Sequence, residues 1–224
     1  MKTIFGVSST FPSNQKLKNG YTMYDWVMRQ KCCPAFWGRG LTGPNAIQNE
    51  EIAFLRSKNC KILLIVQDLT EAEVSGSDGE KQAFRAVECA RNLKVPQNSG
   101  IAIFAEFKPD WSVNHNWMIG FAGVLSMNGY VPGFIGNTDS AKNFNFDRQC
   151  SHYVQATETV HQFDAVYMAT EPKCSHPPRI WEPFCPSALN REDMHLWKTG
   201  ETAFGEWVAE DVYAQDRKIL DKTW

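Results

Sequence analysis

The sequence has almost no surplus of charge. Twenty-three Lys and Arg face 25 Asp and Glu, for a net charge of −2 and a pI near 6.2. That leaves no basic footprint for nucleic acid and no polybasic surface for anionic lipid. No apolar run reaches the 18 residues that a membrane span needs. The opening MKTIFGVSSTFPSN has no apolar h-region, so the expectation is a cytoplasmic protein, with secretion by a non-standard route as the alternative. The seven cysteines (32, 33, 60, 89, 150, 174 and 185) form no C-x-x-C pair. They read as reduced thiols, neither a disulfide framework nor a zinc site. The five histidines form no His-x-His pair, which argues against a metal centre. A G-x-S-x-G elbow and a P-loop are both missing. No G-x-G-x-x-G follows the first apolar run, which removes the usual fingerprint of an open dinucleotide-binding sheet. No cofactor is expected.

Alternation is what the chain does have. Short apolar runs at 3–9, 35–41, 61–69, 100–108, 131–138, 164–171 and 193–198 are rich in Val, Ile and Phe and bounded by Gly, Pro, Asn or Asp. Such runs read as buried parallel strands. Helical patterns fill the intervals at 21–30, 45–58, 79–93, 113–127 and 143–161. Lys94-Val95-Pro96 stops the third of these, and Gly129 suits a C′ glycine after the fourth. The Pro-rich stretch 171–190 reads as a long surface loop, and 207–211 is a possible eighth strand. No linker composition divides the chain. The expectation is one domain over residues 1–224, an α/β fold built as a (β/α)8 TIM barrel with irregular last strands. A doubly wound open sheet is the alternative.

In a barrel, alternate side chains face the interior, so Ala102, Phe104 and Glu106 share a face. Glu106 ends the apolar run Ile101–Ala105 where barrel enzymes keep their reacting groups, at the C-terminal mouth. The other runs also end in polar or charged residues: Ser8, Arg39, Gln67-Asp68, Asn137, Glu171, His195, and Glu210-Asp211 near the last. Water begins at strand ends, which accounts for any one of them. Carboxylates converging on one mouth suit glycoside hydrolysis, one as acid and the other as nucleophile or base. Desolvation among aromatic neighbours is expected to raise the pKa of Glu106 and keep it protonated. Trp37, Trp111, Trp181 and Trp197 follow strand ends and would stack on sugar rings, or equally pack the rim.

Four segments carry a family resemblance: FGVSSTFPS (5–13), GRGL (38–41), IAIFAEF (101–107) and NGYVPGFIGN (128–137). They resemble, in order along most of the chain, a bacterial glycoside-hydrolase-like TIM-barrel family related to the lysozyme-type barrels of glycoside hydrolase family 25. The resemblance implies a glycosidase-type barrel and a cell-wall or related polysaccharide, polymer or oligosaccharide, as partner. Lysozyme-type relatives end the fourth strand in Asp-x-Glu, with the Glu as proton donor. The matching residues are Phe104-Ala105-Glu106, so Glu106 is kept and the Asp is lost. Their first-strand Asp falls at Ser8, and a late-strand Asp falls at Glu210 or Asp211. The expected catalytic set is Glu106 with Asp68, Glu171 or Asp211. The expected substrate contacts are Ser8, Trp37, Arg39, Trp111, Asn137, Trp197 and Glu210. A barrel that binds glycan without cutting it is the alternative.

Overall fold

A computed structural model describes residues 3–139, 141, 145–158, 164–174 and 176–224. Eight strands close into one barrel in sequence order: β1 (Ile4–Ser8), β2 (Phe36–Gly40), β3 (Lys61–Val66), β4 (Ala102–Glu106), β5 (Val131–Ile135), β6 (Val166–Ala169), β7 (Met194–Phe204) and β8 (Trp207–Ala214). The helices are α1 (Met23–Gln30), α2 (Asn49–Ser57), α3 (Glu71–Val74), α4 (Glu80–Asn92), α5 (His115–Met127) and α6 (Asn145–Glu158). The helix expected at 143–161 is therefore met by α6, and positions 143–144 and 159–161 lie outside the described residues.

The period-2 alternation of the strands divides the core in two. Phe36, Leu63, Ile65, Ala102, Phe104, Ile135, Met168, Leu196 and Val212 fill the barrel interior. Their neighbours in sequence, among them Val7, Trp37, Leu64, Ile103, Ala105 and Phe134, pack outward with the helices. Two glycines make room for the largest interior rings. A Cβ on Gly6 would lie 2.4 Å from the Phe36 ring, and one on Gly133 would lie 2.5 Å from the Phe104 ring. Each buried Phe contributes roughly 1.5–3 kcal/mol, so a methyl group at either glycine would cost a large part of that through overpacking.

Neighbouring strands from β1 to β7 run parallel, but β8 pairs antiparallel with both β7 and β1. The expected all-parallel (β/α)8 barrel is thus corrected to a mixed α/β fold with a closed eight-stranded barrel. The cause is local. Phe204 pairs with Trp207, leaving Gly205 and Glu206 as a two-residue turn, with Gly205 at φ 61°. A turn this short makes only a hairpin, since a parallel return needs a crossover of a dozen residues or more. The hairpin also runs longer than the sequence pattern suggested. The chain then closes the far end of the barrel with a 3-10 turn, Arg217–Lys222, whose Ile219 is buried among the interior residues. Trp224 exchanges backbone hydrogen bonds with Ile62 at 2.8 and 2.9 Å.

At the end of β2, Gly38-Arg39-Gly40-Leu41-Thr42-Gly43 has the spacing of a dinucleotide loop, but steric neighbours account for its glycines. A Cβ on Gly38 would crowd Ser8 and Ile65 at 3.1 Å, one on Gly40 would crowd Gln67 at 3.1 Å, and Gly43 faces Asp68 at a φ of +85°. The next helix starts only at Asn49, too far along to point its N-terminus at this loop.

Candidate functional site at the barrel mouth

The interior alternation continues past the apolar layers into a polar one. Gln67 follows Leu63 and Ile65, Glu106 follows Ala102 and Phe104, and Lys198 follows Leu196; on β8, Glu210 precedes Val212 in sequence. These four meet. Lys198 Nζ donates to Glu106 Oε1 at 2.5 Å and to Glu210 Oε2 at 2.6 Å, and Gln67 Nε2 donates to Glu106 Oε2 at 3.1 Å. The ammonium is almost sealed, with its side chain 4% exposed, whereas those of Glu106 and Glu210 are 23% and 39% exposed. Lys198 lies opposite the interior Val212 by unbroken alternation from Leu196, and a register shift in β7 between Lys198 and Gly200 then places Glu201 opposite Glu210.

The electrostatics reverse the expectation for Glu106. Burial pushes its carboxyl up. The ammonium of Lys198, hydrogen bonds from Lys198 and Gln67, and the charge of Lys173 outweigh that and hold it below the usual carboxylate range. Burial pulls Lys198 down, but the charges and hydrogen bonds of Glu106 and Glu210 outweigh it and hold the ammonium above the usual lysine range. Glu106 therefore rests ionised beside its cation, and is not the protonated acid that desolvation alone would make it.

Above this trio opens a cavity of about 320 Å³ lined by Glu106, Trp111, Asn137, Glu171 and Glu210. These are five of the eleven residues singled out from the sequence. Thr10, Gln67, Lys108, Thr170, Lys173 and Lys198 also line it. Lys108 Nζ lies 5.3 Å from the centre of the Trp111 ring. Asn137 Oδ1 accepts from the Asp139 N–H at 2.9 Å.

The other six candidates lie elsewhere. Ser8 is fully buried on the interior face opposite Glu210, and its hydroxyl has no hydrogen-bond partner among the described residues. Trp37 points outward, fully buried, and stacks on Tyr24 at 5.7 Å. Arg39 also points outward into a pair with Glu51, which accepts at 2.9 and 3.0 Å. Asp68 bonds Thr42 and Arg85. Trp197 meets Trp181 edge-on at 5.7 Å and donates to Pro172 O. Asp211 faces outward to Lys31 at 2.9 Å and Thr202 at 3.0 Å. Trp37, Arg39, Trp197 and Asp211 share one reason: each sits one residue out of phase with the interior face, so its side chain enters the helix layer. Asp68 is likewise one residue past the inward Gln67.

Sequence reasoning missed Lys198. The signal was present, because Lys198 lies two residues after the interior Leu196 at the end of its run. It also passed over Gln67 in favour of its acidic neighbour. Among the described residues, no three His, Cys, Asp or Glu side chains converge to hold a metal ion, all seven cysteines are free, and no helix is long and apolar enough to cross a membrane.

No family model matches the chain, and no curated protein sequence matches it. Solved structures do. An uncharacterized protein of B. stearothermophilus superposes with a TM-score of 0.75 at 25% identity, over 99% of this chain and 100% of that one. A Tat-secreted protein of Mycobacterium tuberculosis, bound to L-tartrate, gives a TM-score of 0.61 at 12% identity over 97% and 98%. A muramidase from Acremonium alcalophilum gives 0.56 at 11% identity over 97% of each chain. At such identities the last two show a shared fold.

Proposed function

We propose that this closed eight-stranded barrel is a glycoside-hydrolase-like protein, formed by residues 1–224 as one domain. Its mouth recognises a cell-wall or related polysaccharide, and in its resting state it binds the glycan without cutting it. The observation that carries this reading is the Lys198 ammonium held between Glu106 and Glu210. Cleavage of a glycosidic bond needs one carboxyl protonated to release the leaving oxygen and a second ionised. A cation bonded to both stabilises the two ionised forms and supplies no acid. Carboxylates fixed in this way are good acceptors for sugar hydroxyls. Asn137 and Thr170 add polar groups, and the Trp111 ring offers an apolar face to a pyranose. The fold shared with a muramidase supports the choice of a glycan over other polar ligands.

The test is to titrate the protein with bacterial cell-wall fragments and chitin oligomers, following binding by calorimetry and cleavage by the appearance of reducing ends. Saturable binding without new reducing ends is expected, and Glu106→Gln should weaken it about tenfold. An absence of binding to every glycan offered would remove the reading.

A second reading, hydrolysis with retention, is favoured by one distance relation. Glu106 Oε1 and Glu210 Oε2 both lie within bonding reach of a single Nζ, which keeps them as close as a retaining pair, about 5–5.5 Å between carboxyl groups. On this reading Glu106 is the general acid, Glu210 is the nucleophile, and substrate must first displace Lys198. Reducing ends released by the wild type and lost in Glu106→Gln would establish it.

A further inference from the structure

The mouth holds three lysines, and they are not alike. Lys198 is sealed and bonded to Glu106 and Glu210. Lys108 and Lys173 are exposed and line the same cavity. Among the described residues, neither has a carboxylate within salt-bridge reach. Strand order places them together. Lys108 follows β4, Asn137 follows β5 and Lys173 follows β6, and these three strands are neighbours in the barrel. The two lysines therefore flank the end of β5 on one arc of the rim. Lys198 and Glu210 belong to the next arc, on β7 and β8.

Each free ammonium is turned to the cavity's business. The charge of Lys173 reaches the floor, where it helps to hold the Glu106 carboxyl low. Lys108 Nζ stands over the Trp111 ring, where a pyranose would stack, and Trp111 is half-buried against the core. A neutral sugar on that ring would displace the ammonium from its cation–π contact and offer no charge in return. A sugar with an anionic group takes the ring and gives Lys108 a counter-charge at once.

We infer that the sugar bound on the β4–β6 arc of the mouth is anionic, its carboxylate or phosphate paired with Lys108 and Lys173 while its ring stacks on Trp111. The inference rests on the glycan reading of the mouth and adds to it the charge of the ligand. Glu171 stands on the same arc with no cation within salt-bridge reach among the described residues. Two ammoniums against this one carboxyl group leave the arc in favour of an anion, and one ammonium would not. The carboxylates beside Lys198 remain as acceptors for the hydroxyls of the same glycan.

The test compares three matched pairs by calorimetry. Two are the N-acetylmuramic acid–N-acetylglucosamine disaccharide and trigalacturonate, each as free acid and as methyl ester. The third is maltotriose with and without a phosphate on one primary hydroxyl. The anionic member of at least one pair should bind about tenfold tighter than its uncharged partner at low salt, the equivalent of two exposed ion pairs. The preference should shrink as salt is raised. Lys108→Met/Lys173→Met should abolish it, and Lys108→Arg/Lys173→Arg should keep it. The pair that responds tells carboxylate from phosphate. Equal binding within every pair, a preference unmoved by the double Met variant, or binding of chitin oligomers alone would overturn the anionic sugar and leave the glycan mouth standing. Failure of all six ligands and of chitin oligomers to bind would overturn both.

Discussion

Two buried ion clusters lie on opposite faces of the same barrel wall, and they are built from the same chemistry for different ends. On the outer face, Arg39 and Glu51 have side chains 1% and 4% exposed. Their contacts tie loops together: Glu51 accepts from the Ser13 N–H at 2.7 Å, and Arg39 reaches the carbonyls of Ser9 and Asn45. On the inner face, Lys198 is equally sealed, but its carboxylates reach into an open cavity. The outer cluster turns its charges toward backbone and fixes the frame. The inner one turns two carboxylates toward solvent and leaves acceptors for a ligand. Burial of a charge therefore does not distinguish structure from function here. What distinguishes them is where the remaining lone pairs point.

Breaking the outer cluster should have the largest effect. Arg39→Ala leaves Glu51 ionised and buried without its cation, which costs about 3–5 kcal/mol and should be read in urea unfolding with an unchanged m-value. Lys198→Met in the inner cluster should cost less, about 2 kcal/mol, because Glu106 and Glu210 regain water through the cavity. Its sharper effect is on titration. Two carboxylates without their cation repel one another and share a proton, so carbon-detected NMR of the Glu carboxyls should show one group titrating well above its position in the wild type. Carboxyl titrations unmoved by Lys198→Met would mean that the inner cluster is not electrostatically coupled. Next in size is Asp211→Asn, which loosens the outward contacts to Lys31 and Thr202 for about 1 kcal/mol and should leave glycan affinity at the wild-type value. A loss of affinity there would erase the division between inner and outer faces.

That division was half legible in the sequence. The run Ile101–Ala105 leading into Glu106 gave both the strand and its direction, since five apolar residues in a row mark a strand buried on both faces and fix the phase of its last member. Phase was the weak point elsewhere. At Gln67-Asp68 and Glu210-Asp211, two polar residues stand side by side, and a one-residue shift exchanges interior for exterior. Chemistry tempted the choice toward Asp68 and Asp211, while the ladder placed Gln67 and Glu210 inside. Lys198 escaped notice because a lysine at a strand end reads as solvated, and only the closure of β8 against β1 and β7 brings Glu210 within its reach. The antiparallel last strand was hidden for a related reason. Gly205-Glu206 is a clear two-residue turn, and the run seen at 207–211 begins right after it, but the run at 193–198 stopped short of it, so the hairpin they belong to could not be recognised. Arg39, expected at the mouth, stands one residue out of phase and belongs to the frame.

The smallest change in stability is expected from Glu106→Gln, and it tests the inner cluster most directly. The amide keeps an oxygen for Lys198, so neutral-pH stability should fall by no more than about 1 kcal/mol. The pH dependence should change shape. Because the folded carboxyl is held below its ordinary value, its contribution is fully present above the unfolded carboxylate range, near 4.3, and is lost as pH falls through the lowered value. Lys198, held above its ordinary value, contributes fully below about 10.4 and loses its contribution as pH rises through the raised one. The wild type should therefore weaken on both flanks, and Glu106→Gln should flatten the acid flank by the share that one carboxylate supplies. It should also lower the alkaline flank, since Lys198 then has one charged partner instead of two. An acid flank identical in the two proteins would mean that Glu106 gains nothing from its cation in the folded state, and the inner cluster would then be a contact without the coupling that the glycan reading needs.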